Sequence, residues 1–185
     1  YQNLLGNDLA ASGGLGTDDL FNGGAARTYG LEFFATYDLL QLGKGSKAFS
    51  LPINLSYTYT DAVFLNDFDS DLWGTVARKD KLPYITPHQF STMLSLEHEK
   101  FMLSISGRYT GVMRTVPGEG DINSKNKIES YFILDASAAY NVNRIFTIFA
   151  NTMNLTNEAY AVARRPAGLR PGMPLSFMLG VKANF

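Results

Sequence analysis

The feature that most constrains this 185-residue chain is a regular alternation of apolar side chains with polar or small ones. Within residues 101–110, for example, Leu103 and Ile105 alternate with Ser104 and Ser106. Successive side chains of a β-strand point to opposite faces, so this period of two predicts strands with one apolar face each. The same alternation occurs in residues 29–38, 49–60, 88–97, 131–140 and 175–185. The pattern therefore predicts an all-β chain.

Two further segments are predicted to be strands from weaker patterns. Residues 144–153 are apolar at both alternating positions, which indicates a strand but leaves its facing unassigned. Residues 1–5 have the composition of the tail of another strand, and counting them brings the expected number of strands to about eight.

The connections between these strands are of two kinds that alternate along the chain. Short ones span residues 43–48, 97–100 and 141–144, and long ones span residues 6–26, 61–86, 112–128 and 155–173. Tight connections join antiparallel neighbours, so the alternation predicts an up-and-down antiparallel sheet with every short turn at one end. The long loops, which hold most of the glycine, proline, aspartate and arginine, lie at the other end.

Such a sheet fits either a soluble protein, with the apolar face turned to a core, or the wall of a membrane barrel. The apolar faces carry no charged residue. The opposite faces carry Glu32, Asp38, Arg108, Asp135 and Lys182. A lysine or arginine costs about 2–4 kcal/mol at the middle of a bilayer, so a lipid-facing surface requires this segregation. The charge pattern favours the membrane wall.

Aromatic residues at a constant interval point the same way. Five pairs bracket the apolar faces, each eight residues apart: Tyr29 and Tyr37, Phe49 and Tyr57, Phe101 and Tyr109, Phe132 and Tyr140, and Phe177 and Phe185. Eight residues of strand span about 26 Å, or roughly 20 Å of height at a tilt of about 40°. Outer-membrane barrels have an apolar band of about 25 Å between two aromatic girdles, so the pairs are predicted to be girdle residues.

The sequence offers little to an enzyme, a metal site or a nucleic-acid partner. There is no cysteine, the net charge is −1, and the only histidines, His88 and His98, lie about 33 Å apart if residues 88–98 form one strand. Asp67, Asp69 and Asp71 have the spacing of a calcium loop but lack its glycine and closing glutamate, which favours a solvated acidic loop. The expectation is a protein that is not an enzyme and holds no metal or covalent cofactor.

Four motifs in order resemble those of a known family. Residues 22–39 (NGGAARTYGLEFFATYDL) resemble a strand opening of the TonB-dependent outer-membrane receptors, and residues 82–91 (LPYITPHQFS) resemble a strand entry of the same proteins. Residues 151–160 (NTMNLTNEAY) resemble the motif before their last loop, and the closing strand ends on Phe185 as theirs does. The chain is similar to the C-terminal third of these receptors.

The resemblance implies a fold and a function. Residues 1–185 would form a C-terminal segment of about eight strands in a transmembrane β-barrel of about 22 strands, with the plug domain absent from this sequence. The implied function is uptake of a ferric siderophore or ferric citrate, energised by the TonB complex through that plug. The implied location is the bacterial outer membrane, in contact with lipid and lipopolysaccharide, with the C-terminus at the periplasmic end. The alternatives are a self-contained eight-stranded barrel (a small porin or adhesion protein) and, more weakly, a barrel hydrolase around His88.

Arginines in the long loops are the candidate ligand-binding residues. Residues 163–174 (ARRPAGLRPGMP) and 111–121 resemble loops of the ferric citrate receptors, and these two segments contain Arg164, Arg165, Arg170 and Arg114. Guanidinium groups bind carboxylates bidentately and so suit an anionic ferric chelate. They could instead pair with neighbouring carboxylates or with lipopolysaccharide phosphates. Glu32, Arg108, Asp135 and Lys182 are predicted to face the lumen, in contact with a plug or with one another.

Overall fold

The computed structural model describes residues 5–7, 20–22, 24–40, 48–70, 73–164 and 168–184. In chain order their strands are β1 (Leu5–Asn7), β2 (Leu20–Asn22), β3 (Ala26–Asp38), β4 (Phe49–Ser50), β5 (Pro52–Phe64), β6 (Phe68–Ser70), β7 (Gly74–Val76), β8 (His88–His98), β9 (Phe101–Thr110), β10 (Met113–Arg114), β11 (Lys127–Ile128), β12 (Tyr131–Asn141), β13 (Phe146–Met153), β14 (Ala161–Ala163), β15 (Arg170–Pro171) and β16 (Ser176–Ala183). A 3-10 turn covers Ser124–Asn126. No helix among these residues is long and apolar enough to cross a bilayer.

One large antiparallel sheet organises the structure. Its strands pair in the order β3, β5, β8, β9, β12, β13, β16, so each long strand lies beside the long strands before and after it in the chain. Strand β4 pairs with β8 and continues the line of β5 beyond Leu51. Among the described residues β3 and β16 are the two edges and do not pair with each other. The predicted up-and-down order is confirmed.

The structure differs from the sequence prediction at residues 1–5 and in the long loops. Residues 1–5 were predicted to be the tail of a further strand; residues 1–4 lie outside the described residues, and Leu5 belongs to β1, which pairs with β2 in a separate hairpin. A pattern of five residues is too short to distinguish a strand of the main sheet from a strand of a separate hairpin. The long loops also contain hairpins, because their backbone donors and acceptors need partners. These hairpins are β6 with β7, β10 with β11, and β14 with β15.

The strand register assigns the aromatic residues that were paired at intervals of eight to one face of the sheet, here called the outward face. Cross-strand partners share a face. One row of partners runs through Phe33, Tyr57, Phe90, Tyr109 and Phe132. A second row, nearer the short turns, runs through Phe49, His98, Phe101 and Tyr140. In β13 the register puts Ile148 outward, opposite Tyr140 and Val181, which settles the facing that the sequence left unassigned.

The strand tilt follows when the predicted girdle residues at the two edges of the sheet are placed at the same height. Tyr29 lies four residues from Phe33 in the first aromatic row, towards the loops. Phe177 is level with Ala136, which lies four residues from Phe132 of the same row, towards the turns. The line from Phe177 to Tyr29 therefore shifts by eight residues over six strand-to-strand steps. This corresponds to a tilt of about 43°, within the range of roughly 35–45° found in membrane barrels. Phe185 lies outside the described residues.

The sheet has no layer covering its outward face in the described part of the chain. Leu179 and Phe177 of β16 are 78% and 74% exposed. The buried hydrophobic cluster lies instead at the loop end, where Ala26, Phe64 and Val76 pack together. A soluble sandwich would bury the apolar face under a second layer. The arrangement is that of a barrel wall, with side chains on both faces and a core confined to the loops.

Candidate ligand-binding site

A cleft of about 670 Å³ opens at the loop end of the sheet, and we call it the loop cleft. One side is formed by Ser124 and residues 127–131, which lead into β12, and the other by residues 157–161 and Arg164 together with Leu169, Pro171, Gly172 and Pro174 of the last loop. Its side chains include Lys127, Tyr131 and Arg164. Its volume is within the range of roughly 300–1,000 Å³ that is usual for small-molecule sites.

Two tyrosines form the aromatic wall of the loop cleft. Tyr131 begins β12 on the polar face, and its ring centroid lies 4.5 Å from that of Tyr160. Gly172 N–H donates to Tyr160 O (2.8 Å), and a Cβ at Gly172 would lie 2.0 Å from the Tyr160 ring. The Met173 N–H donates to the Tyr160 hydroxyl at 3.3 Å. Only glycine at position 172 lets the ring lie in this place, so the last loop fixes the position of Tyr160.

Charged groups of both signs line the same cleft. Arg164 Nε donates to the carbonyl oxygen of Lys127 at 3.3 Å, which joins the last loop to β11. Lys127 Nζ lies 2.8 Å from Glu129 Oε1, and Glu158 is also part of the lining. The guanidinium of Arg164 retains further donors beyond Nε, since it has five N–H groups in all. The cleft thus combines cationic donors with aromatic surface.

The predicted arginines fall into different environments. Arg170 is exposed and lies in the hairpin of β14 and β15, opposite Ala163, the residue before Arg164. Arg165 lies outside the described residues. Arg114 is only 8% exposed and its Nη2 donates to Gly120 O at 2.9 Å. Burial lowers the pKa of Arg114, and the charge of Asp80 opposes that effect. Arg114 is therefore engaged within its own loop and does not line the loop cleft.

The four charged residues predicted for the lumen lie on the polar face. Glu32 is opposite Thr58, and Lys182 is opposite Thr147. Arg108 Nη2 lies 3.1 Å from Asp135 Oδ2, so these two residues form an ion pair across β9 and β12. From the sequence, these charged residues were predicted to contact either a plug or one another. Arg108 and Asp135 contact one another.

Asn154 holds the base of the last loop together, and it was not among the candidate site residues predicted from the sequence. It is 1% exposed and has a φ of 52°, a left-handed conformation that asparagine tolerates better than most residues. Its Nδ2 donates to Glu158 O and to Met173 O, both at 2.9 Å, and its Oδ1 accepts from Glu158 N at 2.8 Å. Asn154 lies within the family-like motif of residues 151–160, but a sequence motif does not show which backbone groups an asparagine side chain hydrogen-bonds.

Neither histidine takes part in this arrangement. His88 Nδ1 lies 2.9 Å from the Tyr57 hydroxyl on the outward face, and His98 Nδ1 accepts from Lys100 N at the opposite end of β8. In the described ranges no group of three or more histidine, aspartate or glutamate side chains is placed to hold a metal ion.

Comparison with known proteins identifies the family. A family model described as "TonB dependent receptor-like, beta-barrel" matches residues 1–155. This chain belongs to that family. The resemblance stated from the motifs is thereby confirmed, and the antiparallel sheet is a segment of the family's barrel fold.

Several receptors are similar to the chain. The catecholate siderophore receptor Fiu of Escherichia coli K12 is 27% identical over 132 residues, which are 70% of this chain and 17% of that receptor. The closed crystal form of Fiu superposes with a TM-score of 0.65 at 21% identity, over 100% of this chain and 24% of that one. The siderophore receptor PiuA from Acinetobacter baumannii gives a TM-score of 0.65 at 17% identity, over 90% of this chain and 23% of its own. The unliganded ferric citrate transporter FecA gives 0.65 at 18% identity, over 85% and 24%.

These similarities show the fold and cover only part of each relative. The structural matches are all below 25% identity and show the shared fold. The chain spans about a sixth to a quarter of the length of these relatives. The relatives are transport receptors for iron chelates by name, and none of them is named as an enzyme.

Proposed function

We propose that this chain forms part of the wall and outer mouth of an outer-membrane receptor that imports a ferric siderophore or ferric citrate. Transport would be energised by the TonB complex through a plug domain. The outward face would contact lipid and, near the loops, lipopolysaccharide. The short turns and the C-terminal end of β16 would then lie on the periplasmic side, with the loop cleft open to the exterior.

The loop cleft is the observation that supports this ligand class. Ferric chelates of both kinds carry negative charge, which the Arg164 guanidinium and the Lys127 ammonium can bind through charge-assisted hydrogen bonds. The rings of Tyr131 and Tyr160 add a flat surface that suits an aromatic chelating group. Arg165 and Arg170 follow Arg164 in the same loop and are the further arginines that would bind the anionic chelate.

Citrate and catecholate chelates would use the cleft differently. A citrate complex presents carboxylates and would depend mainly on arginine. A catecholate complex presents aromatic rings and would depend on the tyrosines as well. The FecA and Fiu relatives are named for these two ligand classes respectively. Substitutions at Arg164 and Tyr131 therefore separate the two cases.

The test uses the full-length receptor and two probes, ferric citrate and a ferric tris-catecholate complex. Binding is measured by quenching of intrinsic fluorescence for wild type, Arg164→Gln and Tyr131→Ala. Loss of one charge-assisted contact is expected to weaken binding of the preferred probe by about tenfold or more. Arg144→Gln is the matched control, because Arg144 is exposed among the short turns at the other end of the sheet. If neither probe binds wild type, or if Arg164→Gln binds as tightly as Arg144→Gln, the proposal is wrong.

A further inference from the structure

Asn154 closes the last loop by joining its two ends. Its side chain bonds to both backbone groups of Glu158, where the loop begins, and to Met173 O, where the loop returns. Asn157 adds a second tie, since its Oδ1 accepts from Leu175 N at 3.2 Å. The segment between these ties, residues 158–173, carries Tyr160 and Arg164 of the loop cleft.

Asp135 connects this loop base to the wall of the sheet. Its Oδ1 accepts from the backbone N–H of Asn154 at 2.8 Å, and its Oδ2 accepts from Arg108 Nη2 at 3.1 Å. Both carboxylate oxygens are thus engaged, one with the loop and one with the polar face. The Leu155 N–H donates to Leu134 O at 2.6 Å and continues the attachment of the loop to β12.

The two partners of Asp135 differ in their access to solvent. Asn154 is buried, whereas the Arg108 side chain is 62% exposed on the polar face and reachable from that side. An anionic group that approaches Arg108 from the polar face competes with Asp135 for the guanidinium. A carboxylate that loses this ion pair loses one of the two contacts that fix its orientation, so its remaining hydrogen bond to the N–H of Asn154 is weakened.

We propose that Asp135 and Asn154 are positioning residues that couple the charge state of the polar face to the geometry of the loop cleft. The coupled set is Arg108, Asp135, Asn154 and the loop 158–173. The consequence for ligand binding rests on the proposed function, whereas the coupling itself is a property of the fold. Coupling of this kind is reciprocal: a ligand that fixes the loop strengthens the Arg108–Asp135 pair by the same factor as the pair strengthens ligand binding.

Hydrogen–deuterium exchange on the full-length receptor tests the coupling without any ligand. In Asn154→Ala, exchange over residues 158–173 is expected to rise by at least about tenfold, because a buried cluster of hydrogen bonds is lost. In Arg108→Gln, which touches no loop atom, exchange over the same residues is expected to rise by about threefold or more. Strands β9 and β12 should exchange as in wild type, which separates loop release from general unfolding.

Ser137→Ala is the matched control. It removes the 2.6 Å hydrogen bond between Ser137 and Ser104, which joins the same two strands on the same face but does not touch the loop. It should leave exchange at residues 158–173 unchanged. Asp135→Asn should act like Arg108→Gln, and the double variant should be no worse than either single one, because both changes break one ion pair.

Two results overturn the inference: equal exchange at residues 158–173 in Arg108→Gln and Ser137→Ala, or additive effects in the double variant. Affinity for whichever of the two probes binds wild type should fall in Asn154→Ala and, less, in Arg108→Gln. If neither probe binds wild type, the proposed function fails while the exchange experiment still decides the coupling.

Discussion

Replacing Ile105 with lysine should separate a lipid-facing surface from a solvent-facing one. Ile105 is on the outward face, four residues from Phe101 and four from Tyr109, the girdle residues of β9. Each interval is about 13 Å of strand, or about 10 Å of height at a tilt of about 40°. Ile105 therefore lies at the middle of the apolar band, where a lysine costs about 2–4 kcal/mol of folding free energy.

Met102 provides the matched control on the same strand. In this structure it is 45% exposed, against 41% for Ile105, so exposure alone predicts similar costs. Met102 is on the polar face, opposite Glu97. A lysine there gains an opposite-charge cross-strand pair worth about 0.2–1 kcal/mol. Met102→Lys should therefore change stability by less than about 1 kcal/mol.

The assay is urea unfolding of the full-length receptor in lipid vesicles, followed by tryptophan fluorescence. The expected difference between Ile105→Lys and Met102→Lys is about 2–4 kcal/mol, with the outward variant less stable. Equal unfolding free energies for the two variants would refute the assignment of the outward face to lipid. So would a larger cost for Met102→Lys.

Four further substitutions test the loops and the edge of the sheet. Gly172→Ala should displace the Tyr160 ring and weaken binding of the preferred ferric probe by about fivefold or more, and Tyr160→Ala should match it in the same titration. Phe64→Ala removes the largest side chain of the buried loop cluster and should destabilise it by about 3–5 kcal/mol, seen as faster proteolysis of the loops. A Cβ at Gly30 would lie 2.1 Å from the backbone oxygen of Tyr59, so Gly30→Ala should reduce the yield of folded receptor in a gel-shift assay without heating.

Much of the wall could be predicted because strand facing is a local property. Leu103 and Ile105 share a face whatever their neighbours are, since consecutive side chains of a strand always alternate. The girdle interval could be counted from the sequence for the same reason. The pairing of His98 with Phe101 follows from the two-residue turn between β8 and β9. Strands β9 and β12 are joined by a long loop, so the pairing of Tyr109 with Phe132 could not be derived in this way.

The loops could not be predicted to the same degree because their contacts join distant residues. Arg114 lies in a segment that resembles a loop of the ferric citrate receptors, and for that reason it was a candidate for ligand binding. Its guanidinium instead donates to the carbonyl oxygen of Gly120 in its own loop. The contact of Arg164 with the backbone of Lys127, which helps form the loop cleft, spans 37 residues of sequence. No periodicity encodes such a contact.

The sequence by itself determined the long strands, the facing of all of them except β13, the antiparallel order and the family resemblance, since these depend on side-chain period, turn length and local motifs. Only the tertiary structure decided which groups meet at the loop end. Asp135 was visible in the sequence as a charge on the polar face, but its two partners come from different strands and loops. Their meeting depends on the register of β9, β12 and β13, which is set by packing and hydrogen bonding across the whole sheet.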